Sequence, residues 1–162
     1  MEDWGELPPV IDVEQPFKWD PEKKAMVPVP FPPSTDWQNS IKTWLSIVEP
    51  ACGKKPIIYS NPNCIKYGLK LSSTSWLRDY PLWLAQYNVS KPNPWPWADW
   101  TFWQYGTPAI GEQLGMESKD VDVDYFNGDI EALEKFCGVN VTTTPVLTFE
   151  ERLTRLGKMH DL

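Results

Sequence analysis

Residues 7–14 read Leu7-Pro8-Pro9-Val10-Ile11-Asp12-Val13-Glu14, and the last five alternate between two kinds of position. The paired prolines forbid a helix just ahead of Val10, and the residues that follow repeat with period two. The stretch predicts a short strand with Val10, Asp12 and Glu14 on one face and Ile11 and Val13 on the other. Two residues on the same side of a strand hold their carboxyl groups roughly 6–7 Å apart. Acids so placed can split their pKa values, the more desolvated one keeping its proton while its neighbour stays ionised. Glycoside hydrolysis divides the labour of two carboxyl groups in this way. Acids at a strand end are also commonly no more than solvated, so the triplet needs support from the rest of the chain.

Eight of the seventeen prolines fall in the first 33 residues, and the run Pro28, Pro30, Pro32, Pro33 predicts mostly loop there. Thr35 or Asp36 can cap a helix through Trp37, Ile41, Trp44, Leu45 and Val48, an amphipathic face that Pro50 and Gly53 should stop. Ile57-Ile58-Tyr59-Ser60, before Asn61-Pro62-Asn63, reads as a second buried strand. A weaker helical stretch around 65–71 follows, then a third strand in Pro81 to Tyr87 and a long aromatic loop from Lys91 to Trp97. Thr101 to Tyr105 is the fourth strand expected, and Asp120-Val121-Asp122-Val123-Asp124 the fifth, with its aspartates on one face. Asp129 to Phe136 predicts a short helix, and the domain is expected to close near Gly138. Residues 139–147 read as a Thr-rich linker. Residues 148–162 read as a helix with a capping box at Thr148 and a narrow stripe of Phe149, Leu153 and Leu156. That tail is expected to start a further module, to form an oligomer seam, or to dock back on the domain.

The 162 residues suffice for one domain, and 22 tryptophans, tyrosines and phenylalanines give it enough apolar surface to fold. A net charge of -7 argues against a nucleic-acid partner, which selects clustered Lys and Arg. No apolar run is long enough for a membrane span, and Met1-Glu2-Asp3-Trp4 lacks the basic start of a secretory signal. Cys52, Cys64 and Cys137, with a single His160, have neither disulfide nor zinc spacing, so no metal or cofactor is expected.

Two other features carry chemistry. Asp120, Asp122 and Asp124 with Glu131 twelve positions into the run could suggest a calcium loop, but Tyr125 stands where that loop needs glycine. A strand ending at the mouth of a site fits the row better, with at least one aspartate reaching solvent or a site at the strand end. Trp83, Tyr87, Trp95, Trp97, Trp100, Trp103 and Tyr105 lie within 23 positions, and aromatic faces suit the C–H faces of sugar rings. Trp83 and Trp100 are also expected to contribute to the core.

The ordered set Leu7 to Glu14, Pro56-Ile57-Ile58-Tyr59, Leu82-Trp83-Leu84-Ala85-Gln86-Tyr87, Trp100 to Tyr105 and Val121-Asp122-Val123-Asp124-Tyr125-Phe126-Asn127-Gly128 resembles glycoside hydrolase family 25, over residues 7 to about 136. Those enzymes are muramidases of phages, bacteria and some fungi. The resemblance implies an α/β fold, an irregular TIM-like β/α barrel with its active site at the C-terminal ends of the strands. About three of the family's eight strands, with a further active-site aspartate, have no counterpart, so a partial barrel of about five strands with a helical tail is expected over 1–138. By the same resemblance Glu14 matches the general acid, Asp12 its carboxylate partner and Asp122 the acid of the last strand. Tyr59, Trp83, Tyr87 and Gln104 match positions near or under the sugar cleft, and Trp103 of the aromatic cluster is also expected to bind substrate.

The resemblance implies hydrolysis of the β-1,4 bond between N-acetylmuramic acid and N-acetylglucosamine in peptidoglycan, with retention of configuration, as in an endolysin. The rivals are a non-catalytic saccharide-binding protein and a structural fragment of a phage particle, both consistent with an incomplete active site. Partners implied are peptidoglycan and either the missing barrel segment or a second copy joined through 148–162. With no export signal, the cell wall would be reached through phage- or lysis-mediated release.

Overall fold

The computed structural model describes residues 5–106 and 110–139. In chain order the elements are β1 (Val10–Val13), β2 (Phe17–Asp20), β3 (Ala25–Pro28), α1 (Ser34–Cys52), β4 (Ile57–Ser60), β5 (Leu82–Ala85), β6 (Phe102–Gly106), β7 (Val123–Phe126) and α2 (Ile130–Cys137). Five strands form one sheet in the order β1-β4-β5-β6-β7, parallel except for β7, which runs antiparallel to β6. The five expected strands make up this sheet, and the fold is of the expected α/β class. Among the described residues the sheet is open, with β1 and β7 at its edges, and does not close into a barrel. The C-terminal helix expected over 148–162, and the linker from residue 140, lie outside the described residues.

One face of the sheet is dry. Val13, Ile58, Leu82 and Leu84 project from it against Ile41 and Leu45 of α1 and against Ile65, Leu69, Leu71, Leu77 and Trp97. Trp37, Trp44 and Trp100 pack at its margin, as expected of Trp100. Ser60 is fully buried on this face and donates its hydroxyl to the Val13 carbonyl at 2.8 Å, so the polar atom is satisfied where β1 meets β4. The opposite face follows from the register. Asp12 pairs with Tyr59, Tyr59 with Trp83, and Gln104 with Asp124, so these side chains share one surface.

Three expectations need correction. The proline-rich stretch is no simple loop but holds the β2–β3 hairpin, in register from Phe17↔Pro28 to Asp20↔Ala25. Asp20 Oδ1 accepts the backbone N–H groups of Glu22 and Lys23 at 3.0 and 3.1 Å and closes the turn. Pro28 lies at the strand end, and the Val29 N–H reaches the Pro16 carbonyl at 3.0 Å, so the prolines frame the hairpin without interrupting it. Helix α1 starts at Ser34, with Thr35 and Asp36 inside its first turn, and it continues past Pro50 to Gly53, which caps it at φ 69° with its N–H on the Glu49 carbonyl. The fifth strand begins at Val123, so Asp120 and Asp122 precede it and only Asp124 belongs to it.

Candidate active site

The Ile11 and Val13 side of β1 is held against α1 and the core, which turns Asp12 and Glu14 to the other surface. Parallel pairing brings Tyr59, Trp83 and Gln104 beside them from three successive strands. Val10, Asp12, Glu14, Tyr59, Trp83, Gln104 and Asp122 line one groove of about 320 Å³. Six of the eight residues expected at the cleft therefore come together on it.

Gln104 is the hub of the floor. Its side chain is buried, and Oε1 accepts the Tyr59 hydroxyl at 2.8 Å and the Tyr87 hydroxyl as well. Tyr59 stands edge-on to Trp83 with ring centroids 5.4 Å apart, and the Trp83 indole donates Nε1–H to Asp124 Oδ1 at 2.6 Å. Trp83, expected also to serve the core, thus forms part of the groove wall. Replacing Gln104 by Leu should remove about 1–3 kcal/mol of stability, because two phenol hydroxyls lose their common acceptor. Urea denaturation of the Gln104→Leu protein checks the expectation, and an unchanged midpoint would contradict it.

Trp103 is not in the groove. It follows Phe102 and precedes Gln104 on β6, so the pleat sends it to the other face. There it packs against Trp100, Tyr105 and Tyr125 and donates Nε1–H to the Gln86 carbonyl at 2.8 Å. Two further residues contribute, neither among those expected at the cleft. Asp124 holds Trp83, as above. Asn61, just beyond β4, donates Nδ2–H to Glu14 Oε1 at 3.5 Å while its Oδ1 accepts the Cys64 N–H at 3.0 Å. The Asn61-Pro62-Asn63 signature of a turn was visible, but nothing in it signals a contact with Glu14.

Burial raises the pKa of Asp12 above its ordinary value. Glu14 is also raised, first by burial and then by the negative charge of Asp12, with the Asn61 amide pulling in the other direction. Burial likewise raises Asp124, opposed by the Trp83 indole and reinforced by Asp122. The phenols of Tyr59 and Tyr87 are pushed up by burial and then by facing carboxylates, Glu14 for the first and Asp122 for the second. Both are held as neutral hydrogen-bond donors.

A carboxyl whose native pKa exceeds its unfolded one destabilises the fold only once pH allows it to ionise. Below the unfolded value both states are protonated and nothing is lost; stability then falls as pH rises through the native value. Asp12→Asn is therefore expected to raise the thermal midpoint at pH 7, with the gain vanishing near about pH 3. A gain that persists unchanged at the lower pH would refute the assignment.

The arrangement sets two similarly exposed, mutually repelling carboxyl groups against neutral phenols, an indole and a carboxamide. It can donate a proton to a neutral oxygen and face a developing positive charge with an anion.

A family model described as Glycosyl hydrolases family 25 matches residues 1–110. A curated relative, the uncharacterized protein YegX of Escherichia coli K12, is 32% identical over 132 residues, which are 82% of this chain and 41% of that protein. Among solved structures, the bacterial lysozyme of Streptomyces coelicolor superposes with a TM-score of 0.63 at 25% identity, covering 85% of this chain and 61% of the other. The spore cortex lytic enzyme SleM of Clostridium perfringens superposes with a TM-score of 0.58 at 26% identity, covering 80% of this chain and 40% of that one. The chain thus spans about two fifths of the length of the curated relative it matches.

Proposed function

Because the chain belongs to family 25 of the glycosyl hydrolases, we propose that it is a cell-wall hydrolase, a muramidase cutting the β-1,4 bond between N-acetylmuramic acid and N-acetylglucosamine in peptidoglycan. The observation that carries the reading is the single groove on which Asp12, Glu14 and Asp122 meet Tyr59, Trp83 and Gln104. Glu14 is the general acid. Burial and the neighbouring charge of Asp12 raise its pKa, against the opposing pull of the Asn61 amide, and so favour the protonated form that serves the leaving oxygen. Asp12, with Asp122, stabilises positive charge on the sugar or positions its acetamido group. The phenols and the carboxamide meet sugar hydroxyls, and the Trp83 ring meets a C–H face.

The product identifies the bond. Digestion of purified peptidoglycan, borohydride reduction and mass spectrometry are expected to place the new reducing ends on N-acetylmuramic acid; reduced N-acetylglucosamine there would reject the muramidase assignment. A second reading is saccharide binding without turnover, which fits the place of β1 at the sheet edge with β4 as its one neighbour among the described residues. Retention of the chain on insoluble peptidoglycan with no soluble product would select it. In either case the site of action is the cell wall, reached in the manner of an endolysin when a cell lyses.

A further inference from the structure

A second groove, of about 350 Å³, has walls formed by Pro62, Lys66, Asn93 and Trp95. Its two sides grow from the strand ends that build the first. Pro62 follows Asn61, the residue whose amide reaches Glu14. Asn93 donates its backbone N–H to Gln86 Oε1 at 2.7 Å, and Gln86 lies between the last residue of β5 and Tyr87, whose hydroxyl bonds to Gln104.

Both working side chains are presented by anchored backbone. Trp95 is 49% exposed, yet its neighbours Pro96 and Trp97 are buried, and Trp97 donates Nε1–H to the Tyr80 carbonyl at 2.9 Å. The Trp95 N–H is itself held by Asn93 Oδ1 at 3.1 Å. Lys66 rises from the π-helical turn Cys64–Gly68, in which Cys64, Ile65 and Gly68 are buried. Gly68 packs so closely on the Phe31 and Trp37 rings that no Cβ fits there, which fixes the turn. Isolated π turns of this kind recur at functional sites. The Lys66 ammonium lies 5.0 Å from the centroid of the exposed Tyr67 ring and forms no ion pair among the described residues.

Charge decides what these two side chains hold. The acid groove carries Asp12, Glu14 and Asp122, with Asp124 beside it, and repels an anionic substituent. Among the described residues Lys66 is the one cation lining either groove. A hydrolase of peptidoglycan meets carboxylates on its polymer, as the lactyl group of muramic acid or in the stem peptides. We propose that Lys66 and Trp95 form a flanking subsite for a carboxylate-bearing sugar residue of the glycan strand, the indole against the ring and the ammonium against the carboxylate. The inference rests on the cell-wall reading above and adds a charge preference to it.

Three probes test it: a neutral oligomer of N-acetylglucosamine, a peptide-free muramic-acid-containing tetrasaccharide, and the same tetrasaccharide with stem peptides. Binding is measured by calorimetry on the Glu14→Gln chain, which prevents turnover. Adding Lys66→Gln is expected to weaken both carboxylate-bearing strands roughly threefold to tenfold and to leave the neutral oligomer unchanged. Trp95→Ala is expected to weaken all three by about fivefold. A loss confined to the peptide-bearing strand supports the subsite and assigns its carboxylate to the stem peptide. If Lys66→Gln leaves both anionic strands as tight as before, or weakens the neutral oligomer equally, the subsite is overturned while the cell-wall reading stands. If the parent chain binds none of the three, the cell-wall reading itself fails.

Discussion

Glu14→Gln is expected to lower the release of reducing sugar from purified peptidoglycan by at least about a thousandfold, within the range that a positioned general acid supplies. Glutamine keeps the size of the side chain and an oxygen to accept the Asn61 amide, but it has no acidic proton to give to the leaving oxygen. Binding of the strand should change little, so the loss appears in kcat and leaves KM nearly in place. The parent protein should also lose rate as pH rises through the raised pKa of Glu14, since the protonated acid is the working form. Equal sugar release by both proteins would remove Glu14 from catalysis. Loss of strand binding in step with rate would make it a structural residue.

Leu84→Ala is expected to have the largest effect on stability, about 3 kcal/mol by urea denaturation followed through tryptophan emission. Leu84 is completely buried at the centre of β5 and packs in the cluster with Leu45 and Ile58, so truncation loses transfer energy and leaves a hole that strands on both sides resist closing. Domains of this size hold only about 5–15 kcal/mol in total, so the change takes a large share of what keeps the fold together. Ile47, on α1 but 64% exposed, is the comparison: Ile47→Ala should cost less than about 0.5 kcal/mol. Similar losses at the two positions would contradict the placement of the core. Because Trp83 precedes Leu84 and faces the groove, the Leu84 substitution should also blunt sugar binding without touching a groove residue.

Much of the fold was legible because the pleat leaves a mark on composition. Ile11 and Val13 beside Asp12 and Glu14, or the apolar run at Ile57-Ile58, can be read without coordinates. Prolines hid the β2–β3 hairpin, since they remove ladder donors, yet an edge-like two-stranded ribbon tolerates them at its ends. The site was legible where residues lie on strands and obscure where they lie just past them. Trp103 and Gln104 are adjacent on β6, so period two alone excludes both from one face; the aromatic crowding outweighed that simple rule. Asn61 and Asp124 act through partners far along the chain, Glu14 and Trp83, and no local pattern records such a pairing.

The acids stand on the outermost strand of the sheet, and that placement ties solubility to chemistry. Among the described residues β1 pairs with β4 on one side only, and its other edge can take an extended segment that would come to rest within reach of Asp12 and Glu14. A chaperone, a neighbouring molecule in a concentrated stock, or a deliberately designed peptide would therefore act as an effector of the acid pair as well as a shield against clumping.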